Sequence, residues 1–256
     1  MFLGGRAKHT FANFGYWEKD TRDYGQACEN LTERLLAFLP EKRGTILDVA
    51  CGKGGTTAHL LNYFHPGNVT GINISEKQLE RCRINAPGCT FLLMSATELE
   101  FNDESFDNIL CVEAAFHFNT REKFLREALR VLKPGGCLAL SDILLKHPRG
   151  TRPAANQVPN IMEYRDLYKR SGFQHIQITD ATVECWVGFY RQAMRRLHNR
   201  VARGRIDPAF ARRRRARLMR VRETIERYVL VGVQKRSIAQ RGSGPSQDIL
   251  PASQTT

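Results

Sequence analysis

The sequence predicts an α/β fold built on a seven-stranded, mostly parallel sheet, and three observations predict it. Over residues 45–146, short β-branched apolar runs alternate with helix-length amphipathic stretches, the pattern of consecutive βα units. A glycine-dense turn, Ala50-Cys51-Gly52-Lys53-Gly54-Gly55, joins the first of these strands to the first of these helices. The 256 residues, 42% of them hydrophobic, allow one α/β domain with additions and a sizeable core.

The elements follow from these patterns in order. Strands are expected over residues 45–50, 69–73, 90–94, 106–112 and 137–144, with helices over 55–64, 76–85 and 121–132 between them. Pro134-Gly135-Gly136 marks a sharp turn after the last of these helices, because proline cannot continue a helix and glycine accepts positive φ. A helix over 162–171, closed by Gly172, precedes an alternating strand over 173–179, and the last strand is expected over 228–234. Residues 183–203 and 208–222 read as helices, the second with Pro208 suited to a first turn. The tail from Ser237 to Thr256, rich in Ser, Gln, Pro and Gly, is expected to be disordered.

Composition narrows the function classes. No apolar run approaches the roughly 20 residues that a membrane-spanning helix needs, and the N-terminus lacks a signal-peptide core, so a cytoplasmic location is expected. The seven cysteines have scattered spacings and no C-x-x-C pair; Cys111 and Cys137 lie in apolar runs and read as reduced core residues. The net charge of +13 is not spread evenly. Residues 185–236 carry 16 Lys and Arg against three acids, and the remainder of the chain is neutral.

The turn after the first strand is the densest signal for a ligand. Glycines let backbone N–H groups approach closely, and a following helix N-terminus favours a carboxylate or phosphate. A structural turn in any doubly wound sheet, or a dinucleotide site, would look alike at this point. Three further segments lie downstream: Val69-Thr70-Gly71-Ile72-Asn73-Ile74-Ser75-Glu76-Lys77-Gln78, then Met94-Ser95-Ala96-Thr97-Glu98-Leu99 with Asp103-Glu104-Ser105-Phe106-Asp107, then Leu132-Lys133-Pro134-Gly135-Gly136.

With these four segments in this order, residues 16–235 resemble the class I, Rossmann-like S-adenosylmethionine-dependent methyltransferases, in their small-molecule branch of tocopherol, sterol-type and sugar or polyketide O-methyltransferases. The resemblance implies a Rossmann-like methyltransferase fold with an antiparallel last strand and a helical substrate lid, and S-adenosylmethionine as cofactor. Residues 1–40 would form a helical cap over the cofactor, and 41–236 the methyltransferase domain with a basic lid insertion at about 183–224. Asp48 would organise the amino-acid end of the cofactor, beside the small residues Ala50, Gly52 and Gly54; Ala50 stands where the family has glycine. Asn73, in place of the usual acid, would meet the ribose together with Ile74 and Gln78, while Asn73 and Ser75 also suit helix capping. Ser95, Ala96 and Thr97 would hold the adenine, Ser95 replacing an acid, and Glu113 would complete the site.

Methyl transfer to a hydroxyl needs a base, and the ends of the fourth and fifth strands are where the resemblance places it. It implies His117 as base and Asp142 as the acid that orients it; His117 could equally line the pocket between Phe116 and Phe118. Ser141-Asp142-Ile143 offers no acidic doublet, so no metal is expected. Tyr16 and Trp17, in a G-Y-W segment similar to one that folds over the cofactor, would close the site above a positive sulfur, or pack on the first helix.

The basic insertion has three readings: a solvated helix, a surface that attracts an acidic or carrier-linked small molecule, or a dock for RNA or a membrane surface. Aromatic residues are sparse within it, which disfavours nucleic acid. The expected function is methylation of a hydroxyl on a small specialised metabolite such as a polyketide, peptide or sugar. Carbon or nitrogen methylation, an RNA-directed enzyme, and a non-catalytic binder of the cofactor are the alternatives.

Overall fold

The computed structural model describes residues 10–146 and 156–237. Helix α1 (Tyr24–Leu36) starts at Asp23, whose carboxylate accepts the Gln26 N–H at 3.0 Å, and turns Ala27, Cys28, Leu31, Leu35 and Leu36 inward. Strands β1 (Ile46–Val49), β2 (Val69–Asn73), β3 (Thr90–Leu93), β4 (Phe106–Val112), β5 (Leu132–Leu145), β6 (Phe173–Asp180) and β7 (Ile225–Lys235) form one sheet. Their spatial order is β3-β2-β1-β4-β5-β7-β6. The first five run parallel, and β7 lies antiparallel between β5 and β6. The expected seven-stranded, mostly parallel sheet with an antiparallel last strand is the one observed.

Helices α2 (Gly55–Leu60), α3 (Glu76–Asn85), α4 (Arg121–Val131) and α5 (Ile161–Arg170) cross between strands, and α6 (Gly188–Ala202) and α7 (Pro208–Arg222) lie in the connection from β6 to β7. Successive strand residues point to opposite faces, and both faces are covered. Leu47 and Val49 of β1 join Ile109 and Cys111 of β4 in a core with α4 and α5. Ile46, Leu110 and Ala139 face a second core with α1 and the start of α6. This two-sided burial is why the strands read as continuous apolar runs.

Three elements depart from the sequence reading. Helix α2 stops at Leu60, and the N–H groups of Leu61, Asn62 and Tyr63 then bond three residues back in tighter turns. Pairing of β5 begins at Leu132, ahead of Pro134-Gly135-Gly136, so the expected turn is an irregularity inside a strand, with Gly135 at φ 81°. The helix expected from residue 183 opens as a wide π-helical turn over Thr182–Val187 before α6. The residues from Ile238 onward, nearly all of the tail expected to be disordered, lie outside the described residues. All seven cysteines are free thiols.

Candidate active site

The carboxyl ends of β1, β2 and β3 lie side by side, and the loop after β1 folds back on itself there. Ala50, Gly52 and Gly54 all take positive φ (57°, 59° and 80°), and the Cys51 N–H donates to the Ile72 carbonyl of β2 at 3.0 Å. At Gly54 a side chain is disfavoured twice, by the φ and because a Cβ would lie 3.0 Å from the Cα of Cys82. A Cβ on Gly52 would meet nothing within 4 Å, so the loop leaves open space on that side.

Asp48, 1% exposed, lies near the end of β1, two residues before this turn. Its Oδ2 accepts the Thr57 hydroxyl at 2.6 Å, while Oδ1 is the one buried side-chain oxygen or nitrogen among the described residues that has no partner. Burial pushes the carboxyl up to about 7. A buried carboxylate with an unmet oxygen beside an open glycine turn is what an incoming ammonium group would satisfy, and in this respect the residues fit S-adenosylmethionine.

At the end of β2, the Asn73 amide is engaged within the protein: its Nδ2 donates to the Gly52 carbonyl (3.2 Å) and to Gln78 Oε1 (2.9 Å), and its Oδ1 accepts the Ser75 N–H. Asn73 and Gln78 thus brace the loop, and Oδ1 keeps one lone pair for a ligand. Ser75 sits at the N-cap of α3 without a side-chain cap bond. Ile74 is 79% exposed, an apolar surface beside the loop. At the end of β3, the Ser95 and Thr97 hydroxyls pair at 3.0 Å next to the buried Ala96.

Glu113 follows β4 with φ 50°, and its hydrogen bonds run to distant parts of the chain. Its N–H donates to the carbonyl and hydroxyl of Ser141, and its Oε1 accepts both the Phe14 N–H (2.5 Å) and the Tyr228 hydroxyl (2.8 Å). Desolvation pushes this carboxyl up to about 8. Glu113 therefore ties the N-terminal segment to the sheet.

The structure does not bring His117 and Asp142 together. His117 is exposed on a short turn, Ala115–His117, just past the carboxyl end of β4, with its ring against Phe116. Asp142 is fully buried on β5, where Oδ2 accepts Arg121 Nε (2.6 Å) and the Tyr164 hydroxyl (2.7 Å), and Oδ1 accepts Arg121 Nη2 and the Ile143 N–H. Tyr168 in turn donates to the Tyr164 hydroxyl at 2.8 Å. An ion pair inside the protein must be satisfied by its own partners, and this one takes the carboxylate away from the histidine.

Tyr16 and Trp17 are likewise engaged elsewhere. The Tyr16 ring lies under the guanidinium of Arg34 on α1, and Trp17 rests on Gly188 at the start of α6, its indole N–H donating to the Phe14 carbonyl at 2.8 Å. Among the described residues of the N-terminal segment, Thr10 and Phe11 reach the end of the cofactor loop, with atoms 2.8 Å from where a Gly55 Cβ would be. No periodic pattern in the sequence marks this contact. Among the described residues, no group of three or more His, Cys, Asp and Glu side chains is placed to hold a metal, and no helix is long and apolar enough to cross a membrane.

A family model described as a methyltransferase domain matches residues 47–140. The 27-O-demethylrifamycin SV methyltransferase of Amycolatopsis mediterranei is 37% identical over 155 residues, a match that spans 57% of each chain. Methyltransferase GfsG of Streptomyces halstedii is 32% identical over 66% of this chain and 68% of its own, and O-methyltransferase resE of Aspergillus sclerotiorum is 31% identical over 66% and 71%. Among solved structures, the [4+2]-cyclase SpnF superposes with a TM-score of 0.67 at 21% identity, covering 90% of this chain and 89% of its own. The cyclopropane synthase MmaA2 of Mycobacterium tuberculosis gives 0.67 at 19%, covering 88% and 90%. These two similarities are to the fold; a cyclase and a cyclopropane synthase share it, so chemistry has to be argued from the site.

Proposed function

Because the chain belongs to the class I S-adenosylmethionine-dependent methyltransferases, we propose that it transfers a methyl group to a hydroxyl of a small specialised-metabolite acceptor, with His117 as the base. S-adenosylmethionine supplies a methyl group made electrophilic by a positive sulfur. Asp48 would hold the amino group of the cofactor with its unpartnered Oδ1, the open side of Gly52 would admit its amino-acid end, Asn73 would meet the ribose, and Ser95 to Thr97 would border the adenine.

The observation that carries the acceptor chemistry is the exposure of His117 just past β4, the strand that pairs with β1 on the side away from β2. An imidazole is the side chain suited to take a hydroxyl proton near neutral pH. Two relatives whose names describe O-methylation support the same reading. The basic β6 to β7 connection, with few aromatics among its arginines, favours an acidic or carrier-linked acceptor over nucleic acid.

The test is incubation with methyl-labelled cofactor and candidate hydroxylated acceptors, comparing wild type with His117→Ala. Loss of about 10²- to 10⁴-fold in kcat, with cofactor affinity kept and the acidic limb of the pH–rate profile gone, is the expected result. An unchanged rate and profile would sink the base role and favour an acceptor nitrogen or an electron-rich π carbon, which can attack the methyl group before its proton is lost.

A further inference from the structure

Helices α6 and α7 flank a half-open cavity of about 670 Å³ whose described lining comes from residues 193–218 and includes none of the cofactor-site residues above. Arg196 and Arg200 reach it from one side of α6, four residues apart, and Arg214 and Arg217 from one side of α7, three residues apart. Of the run Arg212 to Arg215, only Arg214 faces the cavity, because consecutive residues diverge around a helix. Between residues 188 and 222 the sequence has 13 arginines and a single acid, Asp207. That acid is committed as the N-cap of α7, its carboxylate accepting the Phe210 N–H at 2.8 Å. Its carboxylate also lines the cavity and offsets one charge there, against the three guanidinium groups of Arg196, Arg200 and Arg217.

The floor is of opposite character. Leu218 is buried, Leu197 and Ile206 line the wall, and Phe210 is 48% exposed at the edge. We propose that this cavity is a binding site for an amphipathic phosphate, a phosphate or diphosphate monoester of an apolar group. Guanidinium forks match the paired oxygens of phosphate, and the three of Arg196, Arg200 and Arg217 exceed what a lone carboxylate uses. The apolar floor accounts for the ester group. The volume lies in the range of small-ligand pockets.

The test is calorimetric titration of the full chain with decyl phosphate below its micelle concentration, beside decanol and inorganic phosphate alone. Decyl phosphate is expected to bind at least about tenfold more tightly than either half, and Arg200→Ala and Arg217→Ala each to weaken it roughly tenfold, since each removes a charge-assisted contact. Cofactor affinity should stay unchanged in both variants, and Arg200→Lys, which keeps the charge and loses the fork, should fall between wild type and alanine. Equal binding of inorganic phosphate and decyl phosphate overturns the proposal, as does equal binding by wild type and the two alanine variants. Binding of phosphatidylglycerol vesicles without binding of monomeric decyl phosphate overturns it in favour of a membrane surface. None of these readouts involves methyl transfer, so the proposal stands or falls separately from the acceptor reading.

Discussion

Thr57 donates its hydroxyl to one oxygen of Asp48 at 2.6 Å and leaves the other oxygen, inside the protein, with no partner. Burial raises this carboxyl from 3.8 to about 7, so between about pH 4 and 7 the folded chain keeps a proton that the unfolded chain has released. Stability without cofactor falls as pH rises through that window, by about 4 kcal/mol in all, since each pH step of one is worth roughly 1.4 kcal/mol for a single proton. Asp48→Asn removes the charge and keeps an acceptor for Thr57. Its cofactor-free Tm at pH 8 is expected to rise by several degrees while S-adenosylmethionine affinity drops roughly tenfold to a hundredfold. Wild-type affinity should also tighten from pH 6 to 8. A variant that binds the cofactor as well as wild type, by calorimetry, would remove Asp48 from the site.

What is legible in the sequence is what repeats locally or crowds together. The strands declare themselves by apolar runs because both faces of the sheet are covered, and the loop from Asp48 to Gly54 by its small residues, three of which take positive φ. Partnerships between distant segments are not legible. Glu113 joins Phe14, 99 residues away, to Tyr228, 115 residues away, and Asp142 is claimed by Arg121 from another element. Neighbouring strand ends suggest a pairing of Asp142 with His117, and nothing in the sequence of α4 distinguishes Arg121 from an ordinary exposed helix residue. The basic segment reads as a charge run, and only the packing of α6 on α7 turns part of it into a concave wall.

Glu113 makes the N-terminal segment sensitive to substitution at one atom. Both the Phe14 N–H and the Tyr228 hydroxyl end on Oε1, so Glu113→Gln keeps an acceptor and Glu113→Ala loses it. Because the folded carboxyl titrates near 8, above the ordinary 4.5, its contribution to stability declines as pH rises from about 4.5 to 8. The glutamine variant should flatten that part of the Tm against pH curve. The alanine variant should instead release residues 10–17, measured as faster tryptic cleavage at the exposed Lys19 and Arg22. Equal cleavage rates in wild type and Glu113→Ala would show that the tether does not hold the segment.

Gly188 matters through contact. A Cβ there would lie 2.7 Å from the Cβ of Trp17, closer than packed carbons allow. Alanine gains about 1 kcal/mol of helix propensity in a helix interior, and less at the first residue, whereas overpacking costs about 1–3 kcal/mol. Gly188→Ala should therefore lower Tm by a few degrees and shift tryptophan emission as Trp17 is displaced. An unchanged Tm would mean that the N-terminal segment yields at little cost.

The fate of Asp142 separates a structural carboxylate from one that orients a base. Its oxygens are taken by Arg121, Tyr164 and the Ile143 N–H, and Arg121 also donates to the carbonyls of Ile143 and Asn156. Removing one member of a buried ion pair strands the other, at a cost of about 3–5 kcal/mol, whereas replacing both by apolar groups is often nearly neutral. Arg121→Met and Asp142→Leu alone are each expected to destabilise by that order in denaturant titration, and the double variant to recover part of the loss. Asp142→Asn, which keeps an acceptor for Tyr164, should lower Tm while leaving the pH–rate profile where His117 puts it. If that profile moved as it does in a His117 variant, with Tm unchanged, the carboxylate would be acting on the histidine after all, and the ion pair with Arg121 would have to open during turnover.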